Sequence, residues 1–581
     1  MDYEPIAKPA PDEFAVRPNL DDYDGIRASF DYERVVDELD GLPGGGLNIA
    51  YEALDRHVLT GRGEKPCILW EGKDGTAETY TYAEMSRLSN RFANVLQSLG
   101  VQKGDRVFVY MDRIPELYAA AFGTLKAGCI IGPLFSAFGT DAIRDRLENS
   151  GAVVLVTTPE LRSRVHEVRG NLPALKHLII ASHAAAPEVG EGELSWNELM
   201  DAASDEFAIV QTGPEDPAVM HYTSGTTGKP KGAVLVHKAV LGHYATGKYV
   251  LDLHPDDIYW CTADPGWVTG TSYGMFAPCT NGVTSVIYEG GFSASKWYGV
   301  IEKYKVNVWY TAPTAIRMLM KAGEEAAKRF DLASLRYVMS VGEPLAPEGV
   351  LWGEKAFGLP IHDNWWQTET GSILIANYPA LPIRPGSMGR PMPGIEPGII
   401  DEGGNVLAAG EEGDLAIRPG WPSMFRTYWS NEELYDSRFR NGWYLTGDRA
   451  RMDEDGYYWF VGRADDVINT AGHLVGPFEV ESALIEHPAV AEAGVIGKPD
   501  PVAMEIVKAF VSLKEGHEPT DKLRSELIGF ARRKLGPGVA PREIEFIDSL
   551  PKTRSGKIMR RLLKARELGL EEGDTSTLEE D

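Results

Sequence analysis

The chain has 581 residues, with 58 Lys and Arg against 85 Asp and Glu, which gives a formal net charge of −27. Such an acidic chain is a poor candidate for binding nucleic acid or an anionic membrane surface. Hydrophobic residues make up 43% of the chain and charged residues 25%, so it can build a large core, and general disorder is excluded.

The first part of the chain alternates helix and strand signals. Thr81 and Glu84 form a capping box, and apolar side chains then recur at helical spacing until Gly100. Further along, the pattern predicts strands over 106–111, 129–134 and 152–157 and helices over 114–126 and 142–149. Strands that alternate with helices of this length predict βαβ units and a parallel sheet.

The pattern changes between about Gly389 and Asp466. Short strand-like pieces (398–400, 414–418 and 457–461) separated by Gly, Pro and Asp turns predict a β-rich subdomain. A second alternation follows, with helices over 477–486 and 520–535 and strands over 492–496, 507–513 and 544–547. The predicted fold class is therefore α/β, with a large N-terminal domain over 1–462 and a small α+β C-terminal domain over 467–581.

The four cysteines form no C-x-x-C pair and have no zinc-site spacing, so we expect them to be reduced core residues (Cys67, Cys129, Cys261 and Cys279). Residues 1–22 carry many acids and lack the apolar segment of a signal peptide. No apolar run is long enough to span a bilayer. The expected location is the cytoplasm.

The stretch from Tyr222 to Gly232 (YTSGTTGKPKG) combines hydroxyls, glycines and lysines between two strand-like segments. Glycines let backbone N–H groups close around phosphate oxygens, hydroxyls add donors, and lysines supply positive charge. It is not a Walker A loop, because Thr223 stands where that motif has Gly and Pro230 follows Lys229. The composition predicts a phosphate-binding loop of another class.

This loop resembles that of the adenylate-forming superfamily, which contains acyl-CoA synthetases, luciferases and the adenylation domains of peptide synthetases. Three further motifs follow in the family's order, at Trp365 to Thr370, Tyr444 to Asp448 and Pro551 to Lys557. The stretches from Trp267 to Gly270 and from Tyr310 to Ala315 are similar to those of AMP-forming acetyl-CoA synthetases of the shorter type.

The resemblance implies that a carboxylate attacks the α-phosphate of ATP, that pyrophosphate leaves, and that coenzyme A then attacks the acyl-adenylate. Positioned cations and Mg²⁺ would stabilise the moving negative charge. Thr223 and Lys231 would act at the phosphates, and Glu369 would hold Mg²⁺. The residues that the resemblance assigns to ATP or AMP are Thr223, Ser224, Gly225, Thr226, Thr227, Gly228, Lys229, Gly342, Glu343, Pro344, Asp363, Asn364, Trp365, Trp366, Gln367, Thr368, Asp448 and Arg463.

Lys557 would be the catalytic cation of adenylate formation. We expect it to lie with Lys552 and Arg554 at the start of an amphipathic helix that carries the apolar residues Ile558, Met559, Leu562 and Leu563. Cations at a helix start oppose the macrodipole, which a functional anion would explain. Acetylation of Lys557 would remove its charge, so a lysine acetyltransferase and a deacetylase are possible partners in this family.

The resemblance also implies a mobile C-terminal domain. Residues 463–466 would be the hinge, with Asp465 as the residue about which the domain rotates between the two half-reactions. Gly472 would lie beside the pantetheine arm of coenzyme A, and Arg532 would meet one of its phosphates.

Trp366 is the residue that the resemblance places at the end of the acid pocket, with Val268, Thr269 and Val341 around it. An apolar pocket discriminates by only about 1–3 kcal/mol per methylene, whereas a rigid indole excludes longer acids by overlap. Two residues depart from many acetyl-CoA synthetases. Thr271 replaces a His, and Leu474 replaces an Arg, so a phosphate or coenzyme A contact is expected to be missing or supplied by His473.

The predicted reaction is thus ATP-dependent activation of acetate and its transfer to coenzyme A, with no nucleic-acid or membrane partner. Three alternatives remain open. They are a ligase for propionate or a larger acid, an adenylation domain that serves a carrier protein, and a nucleotide-binding regulator that has lost catalysis. Retention of Glu369, Asp448 and Lys557 argues against the regulator.

Overall fold

Two large β-sheets carry most of the N-terminal part of the chain. The computed structural model describes residues 3–10, 12–223, 230–470, 473–501, 503–553, 556–573, 575 and 578. The first sheet has eight strands, in the spatial order Thr427–Tyr428, Lys231–Val236, Pro217–Thr223, Ile130–Leu134, Arg106–Tyr110, Val154–Thr157, His177–Ile180 and Glu193–Ser195. Its pairing is parallel except at the first two strands, which are antiparallel to their neighbours.

The second sheet has seven strands and is also mainly parallel. Its order is Ile361–His362, Tyr337–Ser340, Val308–Thr311, Ile258–Cys261, Thr284–Tyr288, Pro66–Glu71 and Ala77–Thr81. Only the last pair is antiparallel. Three inner strands are buried along their whole length because helices cover both faces of a parallel sheet, namely Thr284–Tyr288, Val308–Thr311 and Tyr337–Ser340.

The core alternates across the first sheet. Val107 and Val109 belong to the largest apolar cluster, which also takes one face of the second sheet, whereas Phe108 and Tyr110 belong to another cluster on the opposite face. This follows from the two-residue period of a strand. Covering a sheet on both faces in this way needs the continuous apolar strands that the sequence has.

Two smaller antiparallel sheets follow in the chain. One contains Asn364–Trp365, Ile375–Ala376 and Arg390–Pro391. The other contains Pro397–Ile400, Glu412–Ile417, Trp443–Met452, Phe439–Arg440 and Tyr458–Arg463. The second of these sheets forms the predicted β-rich subdomain, whereas the first begins before the predicted range.

The last sheet belongs to the C-terminal part of the chain. Its strands are His473–Val475, Ile468–Thr470, Met504–Leu513, Val490–Asp500 and Glu543–Phe546. A separate apolar cluster packs this sheet against the helices Pro477–Ile485 and Asp521–Leu535. The predicted α/β fold class, with a small α+β part at the C-terminal end, is confirmed.

The α-helices have the bounds Tyr23–Ser29, Tyr32–Val36, Tyr82–Ser98, Pro115–Lys126, Thr140–Ser150, Arg162–Val168, Trp196–Ala202, Ala239–Tyr249, Val268–Thr271, Ala277–Thr280, Ala294–Tyr304, Pro313–Ala322, Glu324–Ala327, Pro347–Phe357, Glu432–Asp436, Pro477–Ile485, Asp521–Leu535 and Arg560–Leu568. Short 3₁₀ or π segments occupy Tyr51–Asp55, Val58–Arg62, Arg169–Asn171 and Ser272–Phe276. The capping box is present, because the Thr81 hydroxyl accepts from the Glu84 N–H and the Glu84 carboxylate accepts from the Thr81 N–H. All four cysteines are buried and free, as expected.

One predicted element is wrong in its start. Ile558 and Met559 were expected on a helix, but the helix begins at Arg560, and Ile558 instead forms an antiparallel bridge with Lys552. Lys552 and Lys557 therefore do not stand at a helix start. Among the residues with described structure, no helix is long and apolar enough to cross a membrane.

Candidate active site

Two of the predicted nucleotide-binding segments leave one edge of the seven-stranded sheet. Tyr337–Ser340 and Ile361–His362 are neighbouring parallel strands, and the segments 341–344 and 363–368 leave their carboxyl ends. The carboxyl ends of parallel strands meet at the same edge, which is where α/β proteins bind ligands. The fold thus brings together two motifs that the sequence keeps 20 residues apart.

Asp448 joins three of the predicted residues. Its carboxylate accepts from Trp365 Nε1 and Gln367 Nε2, both at 2.9 Å, and from Arg463 Nη1 at 2.8 Å. Arg463 stands opposite Asp448 in adjacent antiparallel strands, which explains why residues 15 apart in sequence meet. A buried carboxylate with a cation and two neutral donors is strongly oriented.

Asp363 and Asn364 are buried where the segment 363–368 leaves the sheet. One Asp363 oxygen, Oδ2, accepts from the Leu345 N–H at 2.9 Å, while Oδ1 is buried without a hydrogen-bond partner in the described part of the chain. Burial raises the pKa of Asp363 to about 7. Asn364 donates to the Ser340 carbonyl at 2.6 Å, which fixes the start of the segment. When Asp363 is ionised, Oδ1 can therefore accept a hydrogen bond from a ligand.

The segment 342–344 faces the same edge. Gly342 has a φ of +97°, a left-handed conformation that favours glycine. Glu343 follows it and accepts from Arg317 Nη2 at 3.2 Å, and its Oε1 lies 3.1 Å from the Thr314 hydroxyl. Pro344 is half-buried beside it.

The phosphate-loop hairpin ends with Thr223 opposite Lys231. Both are half-buried, and the Lys231 ammonium lies 5.9 Å from the centre of the Tyr428 ring. The Tyr428 hydroxyl donates to Glu369 Oε1 at 2.8 Å. Lys231, Tyr428 and Glu369 therefore form one cluster. The predicted loop residues Ser224, Gly225, Thr226, Thr227, Gly228 and Lys229 lie outside the described residues.

Burial and neighbouring charges shift the pKa values of the groups in this cluster. Burial lowers the pKa of Lys231, and the positive charges of Arg438 and Arg463 lower it further, whereas Glu369 and Asp465 raise it. Burial also raises the pKa of Tyr428, so its hydroxyl stays protonated and can donate to Glu369. Three cations, Lys231, Arg438 and Arg463, thus lie close together beside Glu369, and such a group of cations suits a polyanionic ligand.

Arg438 is a residue of this cluster that the sequence did not reveal. A side chain at Gly447 would come within 3.6 Å of Arg438 Nη1 and 3.1 Å of Arg463 Nη2, so both guanidinium groups flank the residue before Asp448. The Arg438 Nε is buried without a hydrogen-bond partner in the described part of the chain. No motif surrounds Arg438 in the sequence, and no local signal distinguishes it from a surface arginine.

Lys557 lies in a tight turn that approaches this edge from the C-terminal part of the chain. The Thr553 N–H donates to the Lys557 carbonyl at 2.7 Å, and the Lys557 N–H donates to Thr553 Oγ1 at 3.0 Å. Solvent reaches the side chain, although groups from both parts of the molecule surround it. Desolvation by the surrounding groups lowers the pKa of the Lys557 ammonium, and the charges of Arg463 and Arg560 lower it further. Asp448 and Asp466 raise it.

The predicted hinge lies beside these groups. Arg463 Nε is 3.6 Å from Asp465 Oδ1, and Arg560 Nη1 is 3.8 Å from Asp466 Oδ2. Burial raises the pKa of Asp466. Residues 464–466 form a turn directly after the strand that carries Arg463, so any change of backbone angle here would move Lys557 relative to Asp448.

Trp366 is half-buried and packs edge-on against Tyr273, with ring centres 5.0 Å apart. The helical segment that starts with Val268 and Thr269 continues to Tyr273 and contacts the indole through that residue. Val341 is buried at the end of the neighbouring strand. Thr271 is buried and donates to the Pro265 carbonyl at 2.7 Å, a structural contact.

Of the two predicted coenzyme A residues, only Arg532 belongs to the part of the chain that the structure describes. Gly472 lies outside the described residues, and nothing is described of the Leu474 or His473 side chains. Arg532 is exposed on the helix Asp521–Leu535. It makes no hydrogen bond or salt bridge with the residues above in the described part of the chain.

Two protein-family models and several known proteins match this chain in sequence. The family described as "AMP-binding enzyme" matches residues 55–429, and "AMP-binding enzyme C-terminal domain" matches residues 479–557. The acetyl-coenzyme A synthetase of Bacillus subtilis is 55% identical over 565 residues, covering 97% of this chain and 98% of its own length. That of Deinococcus radiodurans is 42% identical over 581 residues, covering 95% and 89%.

Solved structures agree. The crystal structure of a Brucella canis acyl-CoA synthetase matches with a TM-score of 0.74 and 38% identity, over 94% of this chain and 99% of that one. An anthranilate CoA ligase solved in complex with anthranoyl-AMP matches with a TM-score of 0.83 and 32% identity, over 92% and 99%. With these relatives and these matched residues, the chain belongs to the AMP-binding enzyme family, in the branch of the acetyl-coenzyme A synthetases.

Proposed function

We propose that this chain is an AMP-forming acetate–CoA ligase. In the first half-reaction, an acetate oxygen attacks the α-phosphorus of ATP, the bond to the bridging oxygen breaks, and pyrophosphate leaves. In the second, the coenzyme A thiolate attacks the acetyl carbonyl and AMP leaves, which gives acetyl-CoA. The alternatives of a longer-acid ligase and of an inactive regulator are not favoured, since the relatives at 41–55% identity carry the acetyl-coenzyme A synthetase name.

The observation that carries the proposal is the convergence of cations and carboxylates from three parts of the chain. Lys231 comes from the phosphate-loop hairpin, Arg463 from the β-rich subdomain and Lys557 from the C-terminal part. Asp448 and Glu369 lie among them. Stabilisation of a moving negative charge by positioned cations is what phosphoryl-type displacement requires.

Each residue then has a role in ATP binding. Thr223 and Lys231 bind the β- and γ-phosphates together with residues 224–229. Thr368 contacts the α-phosphate, and Lys557 neutralises the charge that develops there. Asp448 accepts from the ribose hydroxyls, since a carboxylate has about four lone-pair sites and three are used by protein donors.

The adenine is framed by the segments 342–344 and 363–365. When Asp363 is ionised, its buried Oδ1 can accept a hydrogen bond from an exocyclic amino group. Asn364 and Trp365 fix the backbone around it through their bonds to Ser340 and Asp448.

Glu369 fits a magnesium ion that arrives with ATP. Mg²⁺ in nucleotide sites is usually held by one or two carboxylates together with phosphate oxygens and water. Within the described residues no cluster of three or more potential ligands exists, so a metal bound by the protein alone is not supported. When bound, Mg²⁺ would neutralise the leaving pyrophosphate, and Tyr428 would orient Glu369 toward it.

We infer that the acid pocket ends at Trp366, which packs on Tyr273. Val268, Thr269 and Val341 would line it. An indole in this place leaves room for a methyl group and excludes longer chains. We place the hinge at 463–466, between domains 1–462 and 467–581, and the coenzyme A contacts at Gly472 and Arg532. Cytoplasmic location and control by acetylation of Lys557 are further parts of the proposal.

Product analysis tests the function directly. Purified chain incubated with acetate, ATP, Mg²⁺ and coenzyme A should yield acetyl-CoA, AMP and pyrophosphate in equal amounts. Each product should disappear when acetate or ATP is omitted. Formation of ADP and phosphate in place of AMP and pyrophosphate would refute the adenylate mechanism.

A further inference from the structure

The turn that carries Lys557 is attached to the N-terminal domain at its tip. The Thr314 hydroxyl lies 3.1 Å from the Gly556 carbonyl oxygen, one residue before Lys557. Gly556 has a φ of +89°, and a side chain there would come within 2.1 Å of Thr314 Oγ1. The turn therefore rests directly on Thr314, with no space between them.

The same turn is attached at its base through charged groups. Glu492 binds Lys552 with its two carboxylate oxygens at 2.5 and 2.6 Å from the ammonium, and Lys552 pairs with Ile558 across the turn. Across the domain boundary, Arg317 Nε lies 3.8 Å from Glu492 Oε1. Arg317 thus faces the carboxylate that holds the base of the Lys557 turn.

Arg317 connects the two attachments. Its Nη2 donates to Thr314 Oγ1 at 2.8 Å and to Glu343 Oε2 at 3.2 Å. Because Arg317 occupies the acceptor side of the Thr314 hydroxyl, the single hydroxyl proton is directed to Gly556 or to Glu343, both 3.1 Å away. Thr314 and Arg317 lie one turn apart on the helix Pro313–Ala322, so one rigid element presents both.

We propose that Thr314, Arg317 and Glu492 form an interdomain clasp that positions Lys557 for adenylate formation. The inference rests on the proposed function. These are positioning residues, since they act on the turn that carries Lys557. A contact made in only one of two domain arrangements stabilises that arrangement alone. Loss of the clasp should therefore slow adenylate formation and leave the thioester half-reaction intact.

The test compares the two half-reactions in the full chain. Acetate-dependent ATP–pyrophosphate exchange reports adenylate formation, and acetyl-CoA formation from presynthesised acetyl-adenylate reports the second step. We expect Thr314→Val, Arg317→Ala and Glu492→Gln to slow exchange about threefold to tenfold, the factor that corresponds to one or two partly exposed polar contacts. The second step should stay within about twofold, and Arg317→Lys should recover part of the exchange.

Lys321→Ala is the matched control, because Lys321 is an exposed cation on the same helix. Glu492→Gln distinguishes an effect on the clasp from an effect on the adenine-binding segment 342–344, since Glu492 contacts Arg317 and not Glu343. If only Arg317→Ala raised the KM for ATP while Glu492→Gln exchanged normally, Arg317 would act through Glu343 and the clasp would be refuted. Equal slowing of both half-reactions would also refute it.

A second measurement does not depend on activity. Hydrogen exchange of peptides that contain Gly556 and Lys557 should be faster in Thr314→Val and Arg317→Ala than in the parent chain and in Lys321→Ala. Unchanged exchange there would overturn the clasp even if activity fell. If the parent chain showed no acetate-dependent pyrophosphate exchange, the proposed function would fail first, and that result is distinguishable from a failure of the clasp alone.

Discussion

Replacing Lys557 by Ala should abolish adenylate formation almost selectively. The Lys557 ammonium makes no salt bridge with the described residues, so truncation leaves no carboxylate without a partner, and the fold should tolerate the change. A unit charge acting at about 4 Å in an effective dielectric constant of about 20 contributes about 4 kcal/mol. Since about 1.4 kcal/mol corresponds to a factor of ten, we expect exchange to fall about 10³-fold.

The assay is ATP–pyrophosphate exchange beside acetyl-CoA formation from acetyl-adenylate. Lys564→Ala is the control, because Lys564 is a half-exposed lysine in the same region that is paired with Glu505 at 3.1 Å. Undiminished exchange in Lys557→Ala, or equal loss of both half-reactions, would refute the assigned role.

The pH dependence gives a second view of Lys557. Its lowered pKa means that the ammonium loses its proton, and its charge, at a lower pH than an ordinary lysine. Exchange should therefore decline as pH rises through that lowered pKa. In Lys557→Arg, which stays charged, any residual exchange should lack this alkaline decline; an identical decline would assign it to another group.

Four further predictions follow from the site. Arg438→Ala should raise the KM for ATP and slow exchange about tenfold or more, because it removes one of the cations beside Lys231. Trp366→Gly should shift the preferred acid toward longer chains by removing the wall that packs on Tyr273. Asp465→Pro should slow the two half-reactions unequally. The Asp465 N–H makes no main-chain hydrogen bond in the described residues, so proline would restrict rotation of the C-terminal domain without removing a bond of the turn. The free energy of unfolding of Asp363→Asn, measured relative to that of the parent chain, should be higher at pH 8 than at pH 4 by up to about 4 kcal/mol.

The sign of the last prediction follows from the raised pKa of Asp363. The folded chain holds the Asp363 proton up to a pH of about 7, whereas the unfolded chain releases it near pH 4, so the stability contributed by protonation is lost as pH rises between these values. Asn does not titrate and can still accept from the Leu345 N–H. Equal shifts in denaturant midpoint at both pH values would contradict the account.

The other three have their own contrary outcomes. Normal ATP–pyrophosphate exchange in Arg438→Ala would place its charge outside the phosphate site. The control is Arg426→Ala, which removes an arginine that is paired with Glu215 on the surface. An unchanged acid preference in folded Trp366→Gly would remove the indole from the pocket. Equal slowing of both steps by Asp465→Pro would count against a hinge.

Local chemistry made much of the fold predictable. The Thr81 and Glu84 capping box uses residues three apart, so it is visible in the sequence and present in the structure. The apolar strands were found because helices cover both faces of a parallel sheet. The start of the last helix was misjudged at Ile558, because periodicity reports burial and not conformation. Ile558 packs against an apolar cluster that includes Leu563, while its backbone forms a bridge instead of a helical turn.

The site was predictable only where a motif marks it. Motifs singled out Trp365 and Asp448, and the structure joins them by a hydrogen bond across 83 positions. Arg438 has no motif around it, and its place depends on strands that bring it beside Gly447. The pairing of Arg317 with Glu492 depends on how the C-terminal part meets the N-terminal part, which no local pattern encodes.

The most direct test of the central claim is AMP release from ATP with Mg²⁺ and coenzyme A, measured across straight-chain acids from acetate to hexanoate. Ligase chemistry with a pocket closed by Trp366 predicts a sharp maximum at acetate and little AMP from butanoate onward. A maximum at a longer acid would contradict the pocket, and absence of AMP with every acid would contradict the ligase itself.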